Sequence, residues 1–201
     1  MSNTEYLTET ELTAEDVLLL PLQAEHKAGL LAAEADGQLS QLWYTSVPNA
    51  ASIDDYLETA FGEQQAGRAL PFVVIDKHRK QVIGTTRFCN ADASNRRLEI
   101  GYTWYAKSYQ RSAVNTQCKL LLLTYAFEQL DSIAVEFRTH WHNHASRNAI
   151  ARLGAKQDGV LRQHSIDAQG RYRDTVVFSI TQQEWPTVKQ SLQYKLGVYQ
   201  G

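Results

Sequence analysis

Cysteine and proline are both scarce, with two Cys and four Pro in 201 residues. Cys89 and Cys118 stand in neither CxxC nor CxxH spacing, which excludes a dithiol redox motif and a zinc knuckle, and so few thiols fit a reducing compartment. With only 11 Gly and 43% hydrophobic residues, collagen-like, low-complexity and disordered classes are excluded as well. No apolar run approaches the length of a membrane span. The nearest, residues 120–127, is interrupted by Thr124 and Tyr125. The start, Met1-Ser2-Asn3-Thr4-Glu5, lacks a basic segment followed by an apolar one, so neither a secretory nor a transit peptide is expected and the expected location is the cytoplasm. There is no internal repeat and no Pro-, Gly- or Ser-rich linker. A chain of this size buries roughly 70% of its unfolded surface, enough for a core without staples, so one domain over residues 1–201 is expected.

What is present is a charge asymmetry hidden by a net charge of −2: residues 1–70 hold 12 acids and 2 bases, and residues 71–201 hold 10 acids and 18 bases. The basic part suits a small polyanion and the acidic part attracts a cation, a combination that fits an anionic cofactor with an amine substrate. The basic pairs Arg96-Arg97 and Arg171-Tyr172-Arg173 are too sparse for a nucleic-acid stripe.

Apolar periodicity predicts a short strand at 17–22, a helix at 25–35 stopped by Asp36-Gly37, and a helix from Ile53 capped by Ser52 and closed by Gly67. Residues 70–76 and 81–89 read as a hairpin, with a polar turn at 90–95, and 97–105 as a third strand. A buried helix at 116–130, a strand at 133–139, a helix at 145–153 ended by Gly154, a strand at 175–180 and a helix opened by Pro186 complete the order. Residues 97–139 form a βαβ unit, whose strands are expected to be parallel neighbours. Ligands of such units bind where the first strand ends and the helix begins. Residues 104–115 and 139–146 are therefore the segments to inspect.

The segment 107–116 opens the long helix, so unpaired amides and the positive end of the helix dipole converge there with Lys107 and Arg111, an anion site in outline. Asn115 can cap the helix or take a left-handed conformation. Gln110-Arg111-Ser112-Ala113-Val114-Asn115, preceded by Leu98-Glu99-Ile100-Gly101-Tyr102-Thr103-Trp104, resembles the Gln/Arg-x-x-Gly-x-Gly/Ala pattern of the GNAT superfamily of N-acetyltransferases, most closely the RimJ/RimL-like branch. Residues 143–155, 159–162 and 174–180 resemble that family's second cofactor segment and closing strands.

The resemblance implies an α/β (α+β) fold with a central mixed, mainly antiparallel sheet, splayed at a parallel strand pair and carrying helices on both faces. It implies acetyl-CoA as cosubstrate and direct attack of a primary amine on the thioester, with the oxyanion held by a backbone N–H of the splayed strand. Trp104 and Tyr105 would offer backbone groups to pantetheine, and Gln110, Arg111, Ser112, Ala113, Val114 and Asn115 would wrap the pyrophosphate. Asn143 and Ser146 would contact the cofactor from the other strand's end. The acceptor is a protein N-terminus or a small amine, and a homodimer is a further expectation; neither nucleic acid nor membrane is an expected partner. Two departures stand out. Ala113 and Asn115 occupy places where the pattern prefers glycine or a small residue, and a methyl at Ala113 would oppose a positive φ. Where many members carry a tyrosine acid, this chain has Ile150, leaving Ser146, one turn earlier, as the nearest protic group. A non-catalytic acyl-CoA-binding sensor is the alternative that these departures favour.

An attacking ammonium needs a base, and Glu99 is the candidate; strand alternation sets it on one face with Arg97, Gly101 and Thr103. A structural ion pair with an arginine is the other account of Glu99. His140, His142 and His144, two apart, invite a metal reading, but His144 stands where a helix begins and no companion Asp, Glu or Cys is near in sequence, so no metal is expected and base duty for His140 or His142 remains open. Trp43, Tyr44 and Phe61 either line an acceptor cleft or belong to the core.

Overall fold

The computed structural model describes residues 6–167 and 169–199. Its strands are β1 (Leu12–Thr13), β2 (Val17–Pro21), β3 (Leu70–Asp76), β4 (Gln81–Asp92), β5 (Arg97–Tyr105), β6 (Ala134–His140), β7 (Lys156–Ile166) and β8 (Tyr172–Thr181). The helices are α1 (Lys27–Ala35), α2 (Ile53–Gln65), α3 (Val114–Glu128), α4 (His144–Leu153) and α5 (Trp185–Tyr199). All eight strands join one sheet in the order β1-β2-β3-β4-β5-β6-β8-β7. Every pairing is antiparallel except β5 with β6, which is parallel.

Two apolar clusters flank the sheet. One gathers Phe72, Phe88, Leu98 and Ile100 from the strands under Cys118, Leu122 and Ala126 of α3, Ile150 and Leu153 of α4, and Trp185 and Leu192 of α5. The other packs Val73 and Trp104 against Leu30 of α1 and Ile53, Leu57 and Ala60 of α2. Central β3, Leu-Pro-Phe-Val-Val-Ile-Asp, is apolar almost throughout because both its faces are covered. The mixed sheet with helices on both faces is the architecture expected from the sequence.

Three differences from the sequence reading have local causes. β4 runs on through Asn90 to Asp92, where a turn was expected, because Asn90 adopts φ +49° and absorbs a bulge that keeps Asp92 opposite Arg97. β7 is much longer than 159–162 and exposed along most of its length, so it carries no apolar alternation. α3 starts at Val114 rather than Thr116, which moves Asn115 inside its first turn.

Candidate active site

The parallel pair meets only at Arg97↔Ala134, Leu98↔Val135 and Glu99↔Glu136. Beyond that point β5 pairs with β4 alone and β6 with β8 alone, so the edge of β5 from Ile100 to Tyr105 faces a split in the sheet. Within this edge Tyr102 takes φ +51°, and the register slips so that Thr85 faces Trp104 while Arg87 faces Gly101. The extra residue is a β-bulge, which locally reverses which face each side chain takes. Thr103 consequently turns toward α3, where its hydroxyl meets Lys119 Nζ at 2.7 Å, and Tyr102 turns toward α2, its ring 6.3 Å from that of Tyr56. Strand alternation set Thr103 beside Glu99; the bulge puts it on the opposite face. The side chains of Trp104 and Tyr105 are both buried, so only their backbone is available at the split.

From the end of β5 the chain makes a short 3₁₀ turn, Lys107–Tyr109, and then the left-handed residue is Arg111 at φ +60°. Ala113 is right-handed at φ −66° and is the N-cap of α3 without a side-chain bond. Its methyl group therefore opposes nothing, contrary to the strain expected from the sequence. Asn115 is neither cap nor left-handed residue, being the second residue of α3. Gln110 Nε2 donates to Tyr105 O at 3.0 Å, and Ser112 Oγ donates to Tyr109 O at 2.6 Å while accepting from Val114 N at 3.3 Å, so the loop is held by its own side chains. The amides of Ala113, Asn115 and Thr116 meet no hydrogen-bond partner among the described residues. Such a cluster at a helix start fits the phosphates of a nucleotide-type cofactor.

Across the split, Asn143 caps α4 by accepting from Ser146 N at 3.0 Å, and Gly154 closes the helix at φ +105°. Arg152 Nη2 donates to Thr116 Oγ1 at 2.7 Å, tying α4 to the first turn of α3. Ser146 is half-buried, and Ile150, one turn later, is packed in the core. The place of the expected tyrosine is thus filled by apolar packing.

Glu99 is 7% exposed and lies close over Gly101: a methyl there would sit 3.1 Å from Glu99 Oε1. Its Oε2 accepts from Asn90 Nδ2 at 2.8 Å, with Arg138 Nε at 3.5 Å. Burial pushes the Glu99 carboxyl above its ordinary pKa, against the opposing pull of Asn90 and Arg138. Its parallel neighbour Glu136 goes the other way. Burial also works against the charge of Glu136, but hydrogen bonds from Arg97 (2.5 Å) and Arg138 (2.9 Å) outweigh it and hold the carboxyl below the ordinary range. Two carboxylates whose proton affinities are driven apart are what acid-base assignments rest on.

On the opposite face, Lys119 is fully buried between Thr86 and Thr103, and burial drives its ammonium down to about 8. Below that pH the folded chain bears the whole desolvation cost. Between pH 8 and 10.5 it sheds the proton that the unfolded chain keeps, so stability rises with pH across this window. Lys119→Met is therefore expected to be more stable than wild type at pH 7, and the gap to shrink by about 3 kcal/mol between pH 8 and 10.5. Cys118, pushed up to about 11 by burial, and Cys89, raised further still, oppose the rise in both proteins. Parallel denaturation curves across this window would contradict a buried ammonium at Lys119.

The three histidines do not converge. His140 ends β6 and accepts from His142 N at 3.0 Å, while His144 opens α4. No group of three or more His, Cys, Asp or Glu side chains able to hold a metal ion occurs among the described residues. Trp43 is 54% exposed and lies edge-on to His140 and Tyr44, whereas Phe61, on α2, is half-buried against the cluster of α1 and α2 and makes no ring contact with either Trp43 or Tyr44, so the aromatic trio does not form one cleft. Sequence reasoning missed Arg87, which sits inside a β4 stretch that reads as apolar. It also missed Arg173, which was noticed only as part of a basic pair.

The chain matches the Acetyltransferase (GNAT) domain family over residues 16–156. It is 29% identical over 170 residues, 84% of this chain and 91% of the other, to a protein of Bacillus subtilis (strain 168) named "Putative ribosomal N-acetyltransferase YdaF". It shares a TM-score of 0.82 and 30% identity with a GCN5-related N-acetyltransferase from Brucella melitensis, covering 94% of this chain and 86% of that one. Mycobacterium smegmatis RimJ, solved with CoA-disulfide, has the same fold at a TM-score of 0.76 and 21% identity, with 93% of both chains covered. The chain belongs to the GNAT acetyltransferase family, whose members use acetyl-CoA, and the RimJ/RimL-like resemblance fits these relatives. The split sheet and the open amides at the start of α3 suit that cosubstrate.

Proposed function

We propose that the whole chain works as one cytoplasmic N-acetyltransferase domain that acetylates a primary amine by direct attack, with Glu99 as general base. The observation that carries this reading is the Glu99 carboxyl, buried, raised in proton affinity and set where β5 and β6 part. Acetyl-CoA supplies the activated acetyl thioester. The free edge of β5 at Trp104 and Tyr105 hydrogen-bonds the pantetheine arm, and residues 110–115 with the first amides of α3 hold the pyrophosphate. Asn143 and Ser146 border the arm from α4. Glu99 accepts the ammonium proton directly or through one water, and a backbone N–H at the split stabilises the developing oxyanion.

A protein N-terminus is the acceptor favoured by the name given to YdaF, and the acidic residues 1–70 are equally suited to drawing in a small amine. Release of free thiol from acetyl-CoA on addition of amine tests the reading. The burial of Ile150 where the resemblance expects a tyrosine favours a second account, an acyl-CoA-binding sensor that binds tightly and releases no thiol. For the departing thiolate the nearest protic group is Ser146. Ser146→Ala is expected to lower kcat by roughly 10²-fold if that hydroxyl is the acid. A loss below about twofold in stopped-flow thiol release, far under that scale, assigns the proton to water instead.

A further inference from the structure

Arg87 is a fully buried cation, 2% exposed, with no carboxylate in salt-bridge reach among the described residues. Its guanidinium lies between two rings, 4.1 Å from the centre of Tyr102 and 5.1 Å from that of Tyr56. Its Nε and Nη2 are both buried, and neither meets a hydrogen-bond partner among the described residues. These two atoms form one edge of the guanidinium, the edge that grips a carboxylate with two parallel bonds. Elsewhere in this chain the same edge is used in that way: Arg68 holds the two oxygens of Glu63 at 2.8 and 2.9 Å, and Arg138 turns its Nε–Nη2 edge on a single oxygen of Glu136, at 3.3 and 2.9 Å. Glu63, a carboxylate that feels the field of Arg87, is already taken by Arg68. A buried charge without a partner is costly, and the cation-π contacts with two rings offset only part of that cost.

The location gives this edge a use. Arg87 stands opposite Gly101 in the register, two residues along β5 from Glu99 and on the same face of the sheet, with Cys89 opposite Glu99. Two residues of strand span about 7 Å. The hydroxyl of Tyr56 and Nε of Arg173, also buried and without partners, belong to the residues around this face. Tyr102, which covers the guanidinium, is 46% exposed and sits on the bulge, so its ring can swing aside into solvent.

We propose that the Nε–Nη2 edge of Arg87 binds a carboxylate of the acceptor, which makes the acceptor an amine that carries a carboxylate a few atoms from its nitrogen. The amine half of this statement rests on the acetyl-transfer reading; the carboxylate half does not. A free amino carboxylate and an N-terminal acidic residue of a peptide share this chemistry, so both are assayed.

Thiol release is measured with β-alanine against β-alaninamide, and with the peptide Asp-Ala-Ala-Ala-amide against Asn-Ala-Ala-Ala-amide. Stabilisation of the CoA-bound protein is measured in parallel with N-acetyl-β-alanine, its amide and inorganic phosphate. Wild type is compared with Arg87→Lys, which keeps the charge without the fork, and Arg87→Met, which removes an uncompensated charge. The expected result is at least a tenfold kcat/KM preference for the carboxylate member of one pair, and a thermal shift with N-acetyl-β-alanine that its amide does not give. Both are erased in the two variants, while CoA affinity is unchanged. Equal values for acid and amide in wild type, a preference that survives in Arg87→Lys, or a shift with phosphate alone would overturn the proposal. Absence of thiol release with every amine would contradict the acetyl-transfer reading only, because a carboxylate-specific shift lost on changing Arg87 still supports this one. Should Arg87→Met not fold, Arg87→Lys carries the comparison.

Discussion

Glu99→Gln lowers kcat for amine acetylation by roughly 10²- to 10⁴-fold and leaves acetyl-CoA affinity unchanged. The amide has the shape of the carboxyl and still accepts from Asn90, whose side chain donates to Oε2 at 2.8 Å, but it takes up no proton. Loss of fold does not account for the drop. The Glu99 pKa is raised in the folded chain, so its ionised form costs stability above the unfolded pKa, and the neutral variant is at least as stable as wild type at pH 7. Because burial raises that pKa, the acid limb of kcat/KM for wild type lies above the ordinary carboxylate range, and the variant lacks that limb. Part of the lost rate returns at high pH, where more of the acceptor is already the free amine. Equal turnover of the two proteins at every pH would remove Glu99 from the chemistry and leave it a buried ion-pair residue.

Ala113→Asp raises the dissociation constant for acetyl-CoA by roughly 10²-fold or more while the protein becomes slightly more stable. The two effects separate because Ala113 is the N-cap of α3 and contributes no side-chain bond there. An aspartate there places a negative charge at the positive end of the helix dipole, worth about 0.5 kcal/mol. The same carboxylate then occupies the amides of the first turn and repels the pyrophosphate that residues 110–115 are proposed to hold. Calorimetric titration with CoA beside a thermal melt reads both quantities. A stabilised variant with unchanged affinity would move the phosphates to another part of the surface.

Much of this site was legible before any coordinates. The β5-α3-β6 unit announces itself because two apolar strands flank a helix too long and too apolar to be anything else, and the order alone puts residues 104–115 at a strand end. Gly154 after α4 is an end signal whose chemistry is local, and it takes the left-handed position that chemistry dictates. What escaped was the backbone irregularity. A left-handed tyrosine at position 102 has no sequence signature, since glycine or asparagine is the usual sign of such a residue, yet it moves Thr103 to the far face and brings Tyr102 over Arg87. The left-handed residue of the loop is likewise Arg111, and not Ala113 or Asn115 as the sequence suggests. Arg87 itself was hidden by its context, Thr-Thr-Arg-Phe-Cys, because the two rings that shelter it come from α2 and β5 and only the fold unites them.

The central claim is that the amine attacks the thioester directly, with no acyl-enzyme. Cys89 and Cys118 are both buried, with thiols raised by burial, and so are poor nucleophiles. Rapid mixing of excess protein with acetyl-CoA, with thiol followed in the absence and then the presence of amine, tests the claim most directly. The account predicts no thiol without amine and stoichiometric thiol once amine is added, in a step that slows sharply in Glu99→Gln. One equivalent of thiol released before any amine is present would contradict it and point to a covalent intermediate on the protein.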